Sequence, residues 1–167
     1  MQGIKDKVAI ITGGASGLGK AIASLFVKEG AIVTITDVNA ESGTMVAADI
    51  GATFIQQDVT EEQAWKSLVE SVNASSGGLH ILVNNAGIPD TVGESNPELT
   101  TLEAWNRIMA VNAGGVFLGC KYAIPLIAQS GGGAIINMSS IAALVATPFL
   151  TAYGASKAAV CQLSKSV

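Results

Sequence analysis

Residues 7–19 read Lys7-Val8-Ala9-Ile10-Ile11-Thr12-Gly13-Gly14-Ala15-Ser16-Gly17-Leu18-Gly19, and much of the chain repeats the pattern they begin. Lys7–Thr12 is a short apolar run and predicts a strand buried on both faces. Glycines follow at 13, 17 and 19. Gly17–Glu29 then carries Leu18, Ala21, Ile22, Leu25 and Phe26 at the spacing of one helix face, and Gly30 closes it as a C-cap.

Working outward, strands are predicted at Ile32–Thr36, Thr53–Gln57, Leu79–Val83 and Ala134–Met138. Helices are predicted at Asn39–Asp49 and from Glu61 to about Ala74, the latter with Thr60 as N-cap. Thr101 to about Ser130 reads as mostly helical with a break around Asn112–Gly115, and Thr151–Val167 reads as helical. Alternating strands and helices give an α/β fold: a doubly wound parallel sheet with helices on both faces. No linker, repeat or low-complexity tract interrupts it, so residues 1–167 are expected to form a single domain.

Composition agrees with a well-buried fold. Apolar residues make up 49% of the 167 and charged residues 13%. The net charge of −4, without a basic run, argues against nucleic acid as a partner. No apolar segment reaches the ~18 residues that span a bilayer, so no membrane partner is expected. The first residues lack the apolar core of a secretion signal. Cytoplasmic residence is the default. His80, the only histidine, reads as a strand-entry residue, and Cys120 and Cys161 read as reduced, buried small residues. One histidine and two scattered cysteines leave no metal site expected.

The glycine turn has a chemical use. It lets the chain reverse tightly and lets backbone amides approach a pyrophosphate at a helix N-terminus. Gly13, Ser16, Gly17, Leu18 and Gly19 are the candidate contacts. The spacing departs from G-x-G-x-x-G, and a glycine-rich turn without a ligand would look the same. Asp37 ends the second strand about 20 residues past the glycines, where a carboxylate binds ribose hydroxyls. That carboxylate would repel a 2′-phosphate, and no arginine stands in the loop. The expected cofactor is therefore NAD rather than NADP. Asp58-Val59 closes the third strand, where adenine should lie. Asn84-Asn85-Ala86-Gly87 closes the fourth, with Asn85, Ala86 and Gly87 placed to meet the cofactor and Asn85 able to bond its sugar.

Tyr153 and Lys157 lie four residues apart and share a helix face. A free phenol, with a pKa of about 10, is a weak base at neutral pH. A nearby ammonium favours the phenolate, which can take a proton from an alcohol. A bare Y-x-x-x-K on an exposed helix is also common. Ser140 follows the fifth strand and can hold a substrate oxygen against Tyr153; a cap or turn role, or Ser139 in its place, are the alternatives. Asn112 sits at the break in the long helix, where it is expected to bond locally and to hold a water linked to Lys157.

Together these motifs resemble the short-chain dehydrogenase/reductase family. The matching residues are Thr12-Gly13 with Gly17 and Gly19, Asp37, Asp58-Val59, Asn84-Asn85-Ala86-Gly87, Asn112, Ser140 and Tyr153-Gly154-Ala155-Ser156-Lys157, in order over essentially the whole chain. The resemblance implies a Rossmann-type sheet and a catalytic tetrad. Tyr153 would be the acid/base, and Lys157 its electrostatic partner and a ligand of the nicotinamide ribose. Ser140 would orient the substrate oxygen, and Asn112 would hold the relay water. The stretches ITDV, VNAGGVFLGCKYAI and IINMSSIAALV look most like NAD-dependent secondary-alcohol and hydroxysteroid dehydrogenases. Members usually extend further, so the C-terminal strands and the substrate loop are expected to be missing, and a homodimer or homotetramer is expected of a full-length form.

The reading that follows is an oxidoreductase interconverting a secondary alcohol and a ketone with NAD. A non-catalytic dinucleotide-binding module, or an inactive fragment, is the alternative. Ile88–Glu98 and Ile141–Leu150 are expected to border the substrate pocket. Leu144, Val145, Pro148, Phe149 and Leu150 lean it toward a small hydrophobic alcohol or ketone.

Overall fold

Val8–Thr12 has every residue buried, as a strand with helices on both faces requires. In the computed structural model, which describes residues 3–90 and 96–167, this strand (β1) is the centre of a five-stranded parallel sheet. The order is β3-β2-β1-β4-β5, with β2 at Ile32–Asp37, β3 at Thr53–Gln56, β4 at Ile81–Asn84 and β5 at Ala134–Asn137. Ile10 aligns with Thr34 on one side and Leu82 on the other, and Asn84 aligns with Asn137. All pairings are parallel.

The alternation of side chains along β1 sorts two cores. Ala9 and Ile11, with Val33, Ile35 and Val83, pack under α1 (Gly17–Lys28) and α2 (Ala40–Ile50) through Ala23, Val46 and Ala47. Val8 and Ile10, with Leu82, pack against α3 (Glu62–Ser76) and α5 (Gly115–Gln129) through Trp65, Leu68, Ala123 and Leu126. The doubly wound architecture expected from the sequence is therefore the one observed. Chain order reverses between β2 and β4 on either side of β1, which opens a crevice at the carboxyl ends of the strands.

Trp65 anchors the second core. It is fully buried, and its indole N–H donates to the Val59 carbonyl at 2.9 Å. Trp65→Ala is expected to cost about 3–5 kcal/mol. A urea titration checks this as a lower midpoint at unchanged slope.

The structure departs from the sequence expectations at three points. Thr60 does not cap α3: its backbone N–H and hydroxyl both donate to Asp58 Oδ1, closing a local turn, and Glu61 takes the N-cap position. A short 3₁₀ turn, Ile141–Ala143, was not foreseen. The third concerns hydropathy. Leu102–Met109 (α4), a π-helical turn at Ala110–Gly114 and α5 run as one 28-residue helix with an 18-residue window of mean hydropathy 1.3. By length and composition it meets the membrane-span criterion that the sequence reading found nowhere. Interspersed Glu, Arg and Lys hid it from a search for unbroken apolar runs. In the fold, 44% of that window is buried, and α5 packs on β4 and α3.

Candidate active site

Gly13 follows β1 with φ 65°, and the chain turns there into α1. Gly19 makes the turn tight: a Cβ at this position would lie 2.1 Å from the Gly13 carbonyl oxygen. The first amides of α1 have no intrahelical acceptor, and the N-cap residue Ser16 makes no side-chain cap bond. Thr12 fastens the turn to the neighbouring strand end, its hydroxyl oxygen accepting from the Asn85 and Ala86 amides at 3.1 and 3.0 Å. The Asn85 side-chain amide donates back to the Thr12 and Gly13 carbonyls.

At the end of β2, the Asp37 carboxylate accepts from the Ala15 amide at 3.2 Å and the Asn39 amide at 3.1 Å. It is thus held against the glycine turn. Beside it, Gln57 is only 3% exposed, and neither polar atom of its side chain meets a hydrogen-bond partner among the described residues. The buried hydroxyl of Thr36 is likewise without a partner there. Orphaned buried groups of this kind are costly unless something else bonds them.

These residues surround a cavity of about 500 Å³. Gly13 and Ser16–Leu18 line one side, Asp37 with Gln57, Asp58 and Val59 another, and Asn85–Ile88 with Val111 the third. None of the described lining residues is Lys or Arg, while two are Asp. The volume lies in the usual range for small-molecule sites. The cradle next to Gly13, the uncapped start of α1 and the orphaned Gln57 amide fit a neutral-to-anionic ligand with hydrogen-bonding rings.

The second group of residues sits on α6 (Thr151–Leu163). Lys157 is 4% exposed, its Nζ 5.7 Å from the centre of the Tyr153 ring and donating to the Met138 carbonyl at 2.7 Å. Burial pushes the Lys157 ammonium below the usual lysine range. A Cβ built on Gly87 would lie 3.4 Å from Lys157 Nζ and 3.2 Å from Asn112 Oδ1. Gly87 lines the cavity, so α6 and the π-helical turn meet at the cavity wall. Asn112 is fully buried and spans the ring of contacts: its Oδ1 accepts from the Ile88 amide, and its Nδ2 donates to the Ile88 carbonyl and to Ser156 Oγ.

The sequence description of short chain dehydrogenase matches residues 7–167. The chain belongs to the short chain dehydrogenase family. It is 45% identical to the NADP-dependent (R)-specific alcohol dehydrogenase of Lentilactobacillus kefiri, over 98% of this chain and 66% of that protein. It is 44% identical to 2,5-dichloro-2,5-cyclohexadiene-1,4-diol dehydrogenase LinX of Sphingobium indicum, with the same coverage. It is also 37% identical to a 3-beta-hydroxysteroid dehydrogenase of Comamonas testosteroni, over 98% of this chain and 63% of that one. The chain thus spans about two thirds of the length of these relatives. Membership implies a nicotinamide dinucleotide cofactor, and the cradle just described fits one.

Most of the residues expected at the cofactor end line one cavity: Gly13, Ser16, Gly17, Leu18, Asp37, Asp58, Val59, Asn85, Ala86 and Gly87. Gly19 does not; it lets α1 pack on the turn. The Asn85 amide N–H groups hold the glycine turn rather than standing open to a sugar, because two carbonyls of that turn lie within their reach. Asn112 does not bond locally, as the sequence led us to expect, but bonds a loop 24 residues away; the break it marks is a π turn. Ser140 Oγ accepts from the Ala142 amide, capping the 3₁₀ turn, whereas Ser139 Oγ donates to the Lys157 carbonyl. Tyr153, Lys157 and Ser140 are outside the cavity lining, Lys157 standing behind Gly87. The His80 ring nitrogen accepts from the Val8 amide at the entry to β1, a structural part.

Gln57 was missed: it was read only as the last residue of a strand, although its place directly before Asp58 at a strand end was the available signal. Of the loops expected to border a substrate, residues 91–95 lie outside the described residues. Ile141, Leu144, Val145 and Phe149, in the segment that follows Ser140, are exposed apolar side chains, and Phe149 has φ 66°.

Proposed function

We propose that the protein is an NAD(H)-dependent oxidoreductase that interconverts a small hydrophobic secondary alcohol and its ketone. The observation that carries this reading is that Lys157 Nζ lies at Gly87 of the cavity wall, 3.4 Å from where a Cβ would stand, and 5.7 Å from the centre of the Tyr153 ring.

Each residue has a role that its surroundings support. The first amides of α1, with Gly13, Ser16, Gly17 and Leu18, hold the pyrophosphate. Asp37 accepts from the adenosine ribose, Asp58 and Val59 flank adenine, and Lys157 with Asn85–Gly87 lies at the nicotinamide end. Bound nicotinamide supplies the hydride acceptor in the oxidative direction and the hydride donor in the reductive one. Ser140 orients the substrate oxygen, and Tyr153 takes the alcohol proton or returns one to the ketone oxygen. The Lys157 ammonium steadies negative charge on the phenolic oxygen. Asn112 fixes the wall between them, and water held near it passes the proton on. The exposed apolar side chains of Ile141, Leu144, Val145 and Phe149 suit an apolar substrate body.

Cofactor choice rests on this chain's own residues, since the Lentilactobacillus relative is named NADP-dependent. A 2′-phosphate would meet the Asp37 carboxylate with no cation among the described lining residues to offset it. Asp37→Ser is expected to raise KM for NAD by about 10–100-fold, the loss of one charged hydrogen-bond acceptor, and to narrow the preference over NADP. The test is NAD reduction with a panel of secondary alcohols, wild type against variant. An unchanged preference would remove Asp37 from the account. The second reading, binding without turnover, is favoured by one observation: neither Tyr153 nor Ser140 lines the cavity. Saturable NAD binding with no turnover on any alcohol would establish it.

A further inference from the structure

The helix that carries Tyr153 begins without a cap of its own. Leu150 holds the N-cap position of α6 and makes no side-chain cap bond. The amides at the second and third helical positions, Ala152 and Tyr153, are instead bonded by Asp90, whose Oδ1 and Oδ2 accept at 3.2 and 2.9 Å. These are the donors that an N-cap side chain normally satisfies, and a carboxylate is the favoured charge there. Here the carboxylate comes from a loop 62 and 63 residues earlier in the chain.

That loop is itself fixed. Ile88, two residues before Asp90, lines the cavity, and both its backbone N–H and C=O are bonded to the Asn112 side chain, at 2.8 and 2.9 Å. Pro89 stands between them, with φ locked by its ring and Ile88 restricted in turn. From Asn112 the bonds continue through Ser156 Oγ to the Tyr153 carbonyl, at 3.0 and 2.7 Å. The circuit closes on Tyr153, its N–H held by Asp90 and its C=O by Ser156.

We infer that Asp90 is a positioning residue, which sets the height and direction of Tyr153 relative to the cavity wall through this circuit. The inference rests on the proposed alcohol–ketone chemistry, because the consequence of position is read in turnover. Asp90 is not among the residues lining the cavity; its carboxylate is bonded to the backbone of α6. Without it, the Ala152 and Tyr153 amides lose these acceptors and the Tyr153 backbone keeps only the bond from Ser156 Oγ of this circuit. A misplacement of about 1 Å at a reacting group can cost on the order of 100-fold in rate.

The test compares wild type, Asp90→Ala and Asp90→Asn. Four measurements are made: NAD affinity by calorimetry, kcat and KM with one secondary alcohol, amide exchange by NMR at Ala152 and Tyr153, and the melting temperature. In Asp90→Ala, kcat is expected to fall about 10–100-fold with NAD affinity within about 2-fold, and the two amides exchange faster. Asp90→Asn, which keeps one acceptor oxygen, recovers part of kcat. A drop in melting temperature with kcat per NAD-binding site unchanged would make the bond a structural cap only and overturn the inference. Unchanged exchange at both amides would do the same while leaving the proposed chemistry standing. Wild type that binds NAD but turns over no alcohol would sink that chemistry, and the inference with it.

Discussion

Tyr153→Phe is expected to lower kcat by about 10²–10⁴-fold, the usual contribution of a positioned general acid–base, with NAD affinity within about 2-fold of wild type. The substitution removes one oxygen and little else. The ring remains half-buried on α6, and the backbone stays pinned by Asp90 and Ser156. Lys157 keeps its bond to the Met138 carbonyl, which does not involve the phenol. Tyr153 also lies outside the cavity lining, so the binding surface is untouched. A large loss in kcat at constant affinity therefore isolates the proton-transfer role. Stopped-flow NAD reduction with calorimetric titration separates the two. Retention of turnover within 10-fold would move the proton to another group.

Gly19→Ala is expected to cost about 1–3 kcal/mol or more and to weaken NAD binding by at least about 10-fold. The added methyl would sit 2.1 Å from the Gly13 oxygen, 2.8 Å from its carbonyl carbon and 2.6 Å from Asn85 Nδ2. Two of those atoms are backbone, in a turn held by Thr12 and Asn85, so nothing flexible can give way. Either α1 moves off the turn or the turn opens, and both pull the first helical amides out of place. Gly19 is not a left-handed residue, so the cost is one of space alone. Gly17→Ala is the informative contrast: its φ is 51°, and a Cβ there meets nothing within 4 Å. It bears only a conformational cost of about 1 kcal/mol. Thermal melts with and without NAD separate the two variants. Equal behaviour would contradict the close-packing account.

What could be read from the sequence was short-range. The run of Lys7–Thr12 into the glycine turn, Asp37 at the next strand end and the Tyr153–Lys157 spacing each depend on a few neighbouring residues and a fixed period. What could not be read depends on contacts between distant segments. Asp90 is 62 and 63 residues from the amides it caps, and Asn112 is 24 from the loop residue it holds. Neither distance leaves a trace in local spacing. Thr60 had the right chemistry for a cap, but Asp58 engages its hydroxyl in the preceding turn and Glu61 takes the cap position. Gln57 became visible only when its burial left both amide atoms without partners. Ser139 and Ser140 were interchangeable on paper; the placement of α6 commits the first to the Lys157 carbonyl and leaves the second capping the 3₁₀ turn beside the apolar surface.

The central claim is that the cavity at the carboxyl ends of the strands binds NAD, with Asp37 as the discriminating group. Isothermal titration of the protein with NAD and, separately, with NADP tests it most directly. The account predicts one saturable NAD site per chain and binding of NADP weaker by at least about 10-fold, or roughly 1.4 kcal/mol. Equal or tighter binding of NADP would contradict the role given to Asp37, and no heat of binding from either nucleotide on folded protein would contradict the site itself.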